Sequence, residues 1–195
     1  MSFIGCIILS VGIICGILAI YPYIYYLRRI NKLQFSFIPQ KNIEYPKISI
    51  VINAYREGEL VADRIKDICK SAYPLDKITL YVFNDGADLE TSNAARKILP
   101  DCHFETHLIE PKERLGKTAC QNKAISLISD EIIVFTDADI TTKPDALLRL
   151  VDALSEDNVG AVCADLIPVG SNTSVAGSES AYRSVYGKMC EYDSS

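Results

Sequence analysis

Five short apolar runs, separated by stretches of helical spacing, organise the chain beyond residue 47. Lys47-Ile48-Ser49-Ile50-Val51-Ile52, Ile78 to Phe83, Phe104 to Ile109, residues 131–136 and Val159 to Ile167 each read as a strand. They are short and rich in β-branched residues, as strands covered on both faces are. Between them lie stretches with a helical period. Glu57 to Ser71 places Leu60, Val61, Ile65 and Ile68 on one face, and Asp88 to Leu99 is stopped by Pro100. Lys117 to Ile128 forms a third helix. A fourth starts at Pro144, with Ala146, Leu147, Leu148, Leu150, Val151 and Leu154 on its apolar side. Strand–helix alternation predicts an α/β domain with a mainly parallel sheet flanked by helices.

A different pattern opens the chain. Residues 3–27 carry no charge, long enough at 1.5 Å per residue to cross a bilayer. Tyr21, Tyr23, Tyr25 and Tyr26 gather at its end as an interfacial belt, followed by Arg28, Arg29 and Lys32. The expectation is one N-terminal transmembrane helix with the following domain in the cytoplasm. A cleaved signal peptide fits poorly, because a basic n-region is lacking and the positive flank is on the wrong side. Gly5, Gly12 and Gly16 offer a packing face for other membrane subunits. The expected organisation is therefore an anchor with its basic flank (1–32), a linker (33–46), the α/β domain (47–169), and a flexible loop leading into a further region (170–195).

Composition narrows the function. The 195 residues are 49% hydrophobic, enough for a core, and the net charge of −5 is spread without a basic stripe, which argues against a nucleic-acid partner. The seven cysteines form no Cys-x-x-Cys pair and read as reduced thiols, mostly small core residues. His103 and His107 fall in or beside a strand and read as structural. No Gly-x-Gly-x-x-Gly follows the first strand, and Gly116-Lys117-Thr118 lacks the earlier glycine of a phosphate loop.

Thr136-Asp137-Ala138-Asp139 directly follows the fourth run. In an extended backbone residues i and i+2 point to the same side, so Asp137 and Asp139 are expected to project together from the carboxyl end of the strand, where open α/β sheets bind ligands. Two such carboxylates can hold a hard divalent cation, which in turn neutralises a diphosphate.

Three other segments stand at strand ends: Asn53-Ala54-Tyr55-Arg56-Glu57-Gly58-Glu59, Asn84-Asp85-Gly86-Ala87-Asp88, and Arg114-Leu115-Gly116-Lys117 with Asn122. With Asp137-Ala138-Asp139 they resemble, in order and spacing over roughly residues 47–167, the family 2 glycosyltransferases of the GT-A fold. The resemblance implies a GT-A type sheet and a nucleotide-sugar donor, with UDP as the leading expectation. Ala54, Tyr55 and Glu57 would line base and ribose, and Asp85 would accept the N–H of a uracil ring. Lys117 would approach phosphate or base oxygens at a helix N-terminus, with Asn122 on the same helix, and Asp137 would lie near ribose and sugar. Asp139, with Asp137, would bind Mg²⁺ or Mn²⁺. The implied activity is inverting transfer of the sugar to a lipid or polysaccharide acceptor at the membrane.

Each residue also has a plain alternative: Tyr55 as packing, Glu57 and Glu59 as helix-start charges, Asp85 as a turn residue, Lys117 as a solvated charge. Against the family pattern, Asn53 replaces a proline, Arg56 an asparagine and Asn84 the first aspartate of a pair. The catalytic base of the family lies in a later acidic segment, and neither Glu179 nor Glu191 has that context. The expectation is thus a truncated or split enzyme whose base lies past residue 195, binding donor but turning over poorly. The alternative is a non-catalytic membrane-tethered nucleotide-sugar-binding remnant. A nucleotidyltransferase would need a glycine-rich basic loop after the first strand, which residues 53–59 do not supply.

Overall fold

The computed structural model describes residues 3–30, 44–156 and 159–164. The N-terminal helix and the α/β unit are separate compact bodies and are taken in turn.

Helix α1 (Phe3–Ile30) contains the segment Gly5–Tyr26, with a mean hydropathy of 2.3 and no residue buried. By length and composition it is apolar enough to cross a membrane. Its last turn carries Arg28 and Arg29, and Arg29 donates to the Tyr25 hydroxyl.

The α/β unit runs β1 (Ile48–Ala54), α2 (Glu59–Cys69), β2 (Ile78–Asn84), α3 (Leu89–Ile98), β3 (Glu105–Ile109), α4 (Lys117–Leu127), β4 (Ile132–Asp137) and α5 (Ala146–Leu154). The four strands form one parallel sheet in the order β3-β2-β1-β4. Parallel strands need both faces covered. On one face Ile50, Ile52, Leu80 and Val82 pack against α2 (Val61, Ile65, Ile68), α3 (Ala94, Ala95) and α5 (Leu147, Val151). On the other face Val51 and Phe83 meet Cys120 and Ala124 of α4. That second layer is thin, and Phe135, Ile125 and Leu127 remain exposed.

The strand order reverses between β1 and β4. Strands β2 and β3 add on one side of β1, while β4 adds on the other. Such a switch point opens a crevice outside the strand carboxyl ends.

Two expectations need correction. Val159–Ala164 forms no strand, and Val159 and Val162 are exposed; residues 165–167 lie outside the described residues. An apolar run becomes a strand only where a neighbour offers a ladder of backbone bonds, and residues 159–164 pair with none among the described residues. The second correction concerns Asp139. Strand β4 ends at Asp137, and Ala138 and Asp139 form a turn, so the two-residue alternation does not carry through to Asp139. The flexible loop and further region expected over residues 170–195 also fall outside the described residues.

Candidate functional site

The register sets the acids side by side. Asn53 at the end of β1 pairs with Asp137 on β4, and Ala54 pairs with Asn84 on β2. One residue past β2, the Asp85 N–H donates to the Ala54 carbonyl at 2.9 Å. Ala54 is buried and Asp85 only 6% exposed.

A near-buried carboxylate needs donors. Asp85 gets them from the loop before α4: Leu115 N–H donates to Oδ1 at 2.6 Å and Gly116 N–H to Oδ2 at 2.8 Å. Charge-assisted bonds of this kind are the strong ones, and here they pin residues thirty positions downstream. The Cys120 thiol sits beneath; burial first, then the Asp85 charge, pushes its pKa up. It is held as a protonated packing group.

The next residue in the chain, Lys117, opens α4 and places Nζ 2.6 Å from Asp137 Oδ1. Both partners are about half exposed, so the pair is a surface contact of modest energy. Its value is positional: residues 115–117 join Asp85 of β2 to Asp137 of β4 across the end of β1. Arg114 completes the segment, its guanidinium 4.0 Å from the centre of the Tyr55 ring, with Arg56 at 5.3 Å. Both distances fall in the cation–π range. Gly86, at φ 89°, lets the second loop run beside Tyr55 and Arg114.

Behind these groups the loops are tied together. Asp88 caps α3, accepting from Thr91 N–H at 3.0 Å and Thr91 Oγ1 at 2.9 Å. The Thr91 bonds hold the Asp88 carboxyl below its usual pKa. Thr91 Oγ1 accepts from Gly58 N–H at 3.0 Å, fastening the first loop to the second. Gly58 has φ 53°, a left-handed conformation that favours glycine; a Cβ there would stand 2.9 Å from Glu90 Oε1, the movable end of a flexible side chain. Asn84, fully buried, donates through Nδ2 to the Asp88 carbonyl and to Ser92 Oγ, each at 2.8 Å. Ser92 donates on to Glu110, which also pairs with Arg96 and anchors the start of the 110–116 loop. The asparagine in place of the usual first aspartate is thereby explained, because a carboxylate could not donate to that carbonyl.

Asp139 is exposed at the tip of its turn. The chain beyond it is held to α2, where Asp67 Oδ2 accepts from Thr142 N–H at 2.8 Å, Thr142 Oγ1 at 2.9 Å and Arg64 Nη1 at 2.6 Å. Burial pulls the Arg64 guanidinium below its usual pKa, with Asp67 opposing.

The structure therefore gathers Ala54, Tyr55, Asp85, Lys117 and Asp137 at the switch point. Glu57 lies in the same first loop, half-buried. Asn122 is exposed on α4, and five residues on from Lys117 it lies about 140° around the helix. The helix does not turn both toward the strand ends. The Arg114-Leu115-Gly116-Lys117 run was named in the sequence as a motif segment, but no role was assigned there to Arg114, the two loop N–H groups or Cys120. Both polar atoms of the Asn53 amide are buried without a hydrogen-bond partner among the described residues.

No cluster of three metal-ligating side chains exists among the described residues. Asp137 and Asp139 supply only carboxylate oxygens. That donor set suits a hard cation whose remaining positions come from substrate phosphates and water, the usual Mg²⁺ arrangement.

The sheet order and the acids at its switch point define a GT-A type α/β domain. The family model described as Glycosyl transferase family 2 matches residues 49–191, and the chain belongs to that family. Among solved structures, it is similar to a mannosyltransferase from Pyrobaculum calidifontis in complex with GDP-Man and Mn²⁺. The identity is 26% and the TM-score 0.65, covering 77% of this chain and 45% of that one. A beta-monoglucosyldiacylglycerol synthase of Nostoc sp. is 27% identical over 126 residues, covering 63% of this chain and 27% of the relative. The probable glycosyltransferase YdaM of Bacillus subtilis is 28% identical over 122 residues, covering 61% and 29%. The chain thus spans less than a third of the length of these two relatives.

Proposed function

We propose that this chain carries the donor-binding part of a membrane-anchored, inverting glycosyltransferase that takes a sugar from a UDP-linked donor to a lipid or glycan acceptor. The observation that carries this reading is the chain of contacts from Asp85 through residues 115–117 to Asp137. It spans the one point in the sheet where strand order reverses.

On this reading Ala54, Tyr55 and Glu57 line the base and ribose. Asp85 holds the Leu115–Gly116 backbone and presents its remaining lone pairs toward a ring N–H. Lys117 sits at a helix N-terminus, where the macrodipole and the free N–H groups favour the anionic diphosphate. Asp137 and Asp139 would hold Mg²⁺ or Mn²⁺, which when bound supplies neutralising charge for the leaving diphosphate. Arg114 braces Tyr55 through its guanidinium. The general base that inverting transfer requires is assigned to no described residue.

The anchor is α1, and Arg28 and Arg29 at its end favour a cytoplasmic domain. The Nostoc relative, a beta-monoglucosyldiacylglycerol synthase, supports a lipid acceptor. Isothermal titration of the full chain with UDP and GDP, with and without Mn²⁺, tests the reading. UDP is expected to bind in a Mn²⁺-dependent manner, at least about tenfold more weakly in Asp139→Ala. Absence of nucleotide binding under all conditions would overturn the reading; a preference for GDP would overturn the uridine assignment alone.

A further inference from the structure

Helices α2 and α3 lie side by side and are joined at both ends. At the end near the strand carboxyl termini the joint is Gly58 N–H to Thr91. At the opposite end it is a pair of sulfurs. Cys69, the last residue of α2, places Sγ 3.5 Å from Sγ of Cys102, which follows the short 3₁₀ turn Leu99–Asp101 after α3. Cys102 also donates to the Ile98 carbonyl at 3.7 Å. Both cysteines are part-buried, and neither belongs to the site described above.

We propose that Cys69 and Cys102 are an oxidation site that takes a peroxide and closes to a disulfide, locking the distal ends of α2 and α3 together. The two sulfurs lie within van der Waals reach, so rotation about side-chain bonds brings them to the S–S length of about 2.05 Å. The reaction balances as follows. One thiol sulfur attacks the peroxide, the O–O bond breaks, and a sulfenic acid and one water form. The second sulfur then attacks the sulfenic sulfur, the S–S bond forms, and its proton leaves with the departing hydroxide as a second water. Two thiols lose two electrons in all, and the peroxide takes them.

Access fits this chemistry. Cys102 lines an open cavity of about 420 Å³ with Lys47, Asp76, Lys77, His103 and Glu105, through which a small neutral oxidant reaches the Cys102 side of the pair. The Cys102 thiol is pushed up to about 12, by burial first and then by Cys69, so Cys102 stays protonated in the resting pair. By contrast, Cys120 is buried on α4 against the other face of the sheet.

The disulfide would close a loop between positions 33 apart, long enough to restrict the unfolded chain considerably. The test treats the purified full chain in detergent with a slight excess of hydrogen peroxide, then alkylates free thiols without reductant and maps peptides by mass spectrometry. The expected result is a Cys69–Cys102 linked peptide that disappears on reduction, with Tm raised by about 5–10 °C. Cys69→Ser and Cys102→Ser are each expected to lose both the linked peptide and the Tm rise. Recovery of both cysteines separately, alkylated or as sulfinic acids, would overturn the proposal. So would a linked peptide found only after denaturation, or one formed without any rise in Tm.

Discussion

Asn84→Asp restores the residue usual in the family and is expected to destabilise this chain. Asn84 is fully buried, and its amide nitrogen makes two hydrogen bonds of 2.8 Å, to the Asp88 carbonyl and to Ser92 Oγ. A carboxylate has no N–H to give. The bond to the carbonyl becomes a contact between two acceptors, and at about 1 kcal/mol per neutral bond the lost pair alone costs about 2 kcal/mol. Burial of the new charge adds to this, for a total of about 3–5 kcal/mol at neutral pH. Ser92 softens the loss only by giving up its bond to Glu110, which would release the loop that ends at Gly116. The sign of the pH dependence follows from burial. Desolvation raises the carboxyl pKa of the folded variant above its unfolded value. The deficit is therefore smallest below the unfolded pKa, where the acid is protonated and can donate one bond, and grows as pH rises through the folded pKa. Thermal melts of wild type and variant across the acid to neutral range measure the difference. A variant as stable as wild type at neutral pH, or one whose deficit grows on acidification, would refute the reasoning.

Other expectations follow from the same contacts. Asp85→Asn leaves a donor facing one of two loop N–H groups and is expected to cost about 2–3 kcal/mol, with faster proteolysis within residues 110–116. Asp67→Ala strips the partner from Arg64, which is 4% exposed, and is expected to lower stability by about 3 kcal/mol in denaturant titration. Asp88 has a carboxyl pKa held below its usual range by Thr91, so its contribution is present above the unfolded pKa and lost as pH falls through the folded one. Asp88→Asn, which keeps the cap without the charge, is expected to show a shallower fall in Tm on acidification than wild type.

Much of the scaffold is legible along the chain because its causes are local. The β-branched run of β1 and the four-residue rhythm of α2 and α5 report burial directly, and Pro100 and Pro144 mark element limits close to where they occur. What lay beyond reach depends on residues distant in sequence. Val159–Ala164 has the composition of a strand, yet a strand needs a neighbouring edge, and no local pattern reveals whether one is free. Asp139 obeys alternation only if β4 continues, and a turn at Ala138 ends it. Asn84 reads in sequence as a lost acid; the structure shows a buried donor serving two acceptors on α3. The Asp85 carboxylate likewise shows its partners only when a loop 30 residues downstream folds back over β2. The Cys69–Cys102 contact, across 33 positions, is of the same kind.

The central claim is that carboxylates at the β1–β4 switch point take part in gripping a metal-bridged nucleoside diphosphate. Equilibrium titration of the full chain with UDP in saturating Mn²⁺, comparing wild type with Asp137→Asn, puts it to trial most directly. Wild type is expected to bind and the variant to lose about tenfold or more in affinity, with an unchanged melting temperature in the absence of nucleotide. Equal affinity for the two proteins would contradict it.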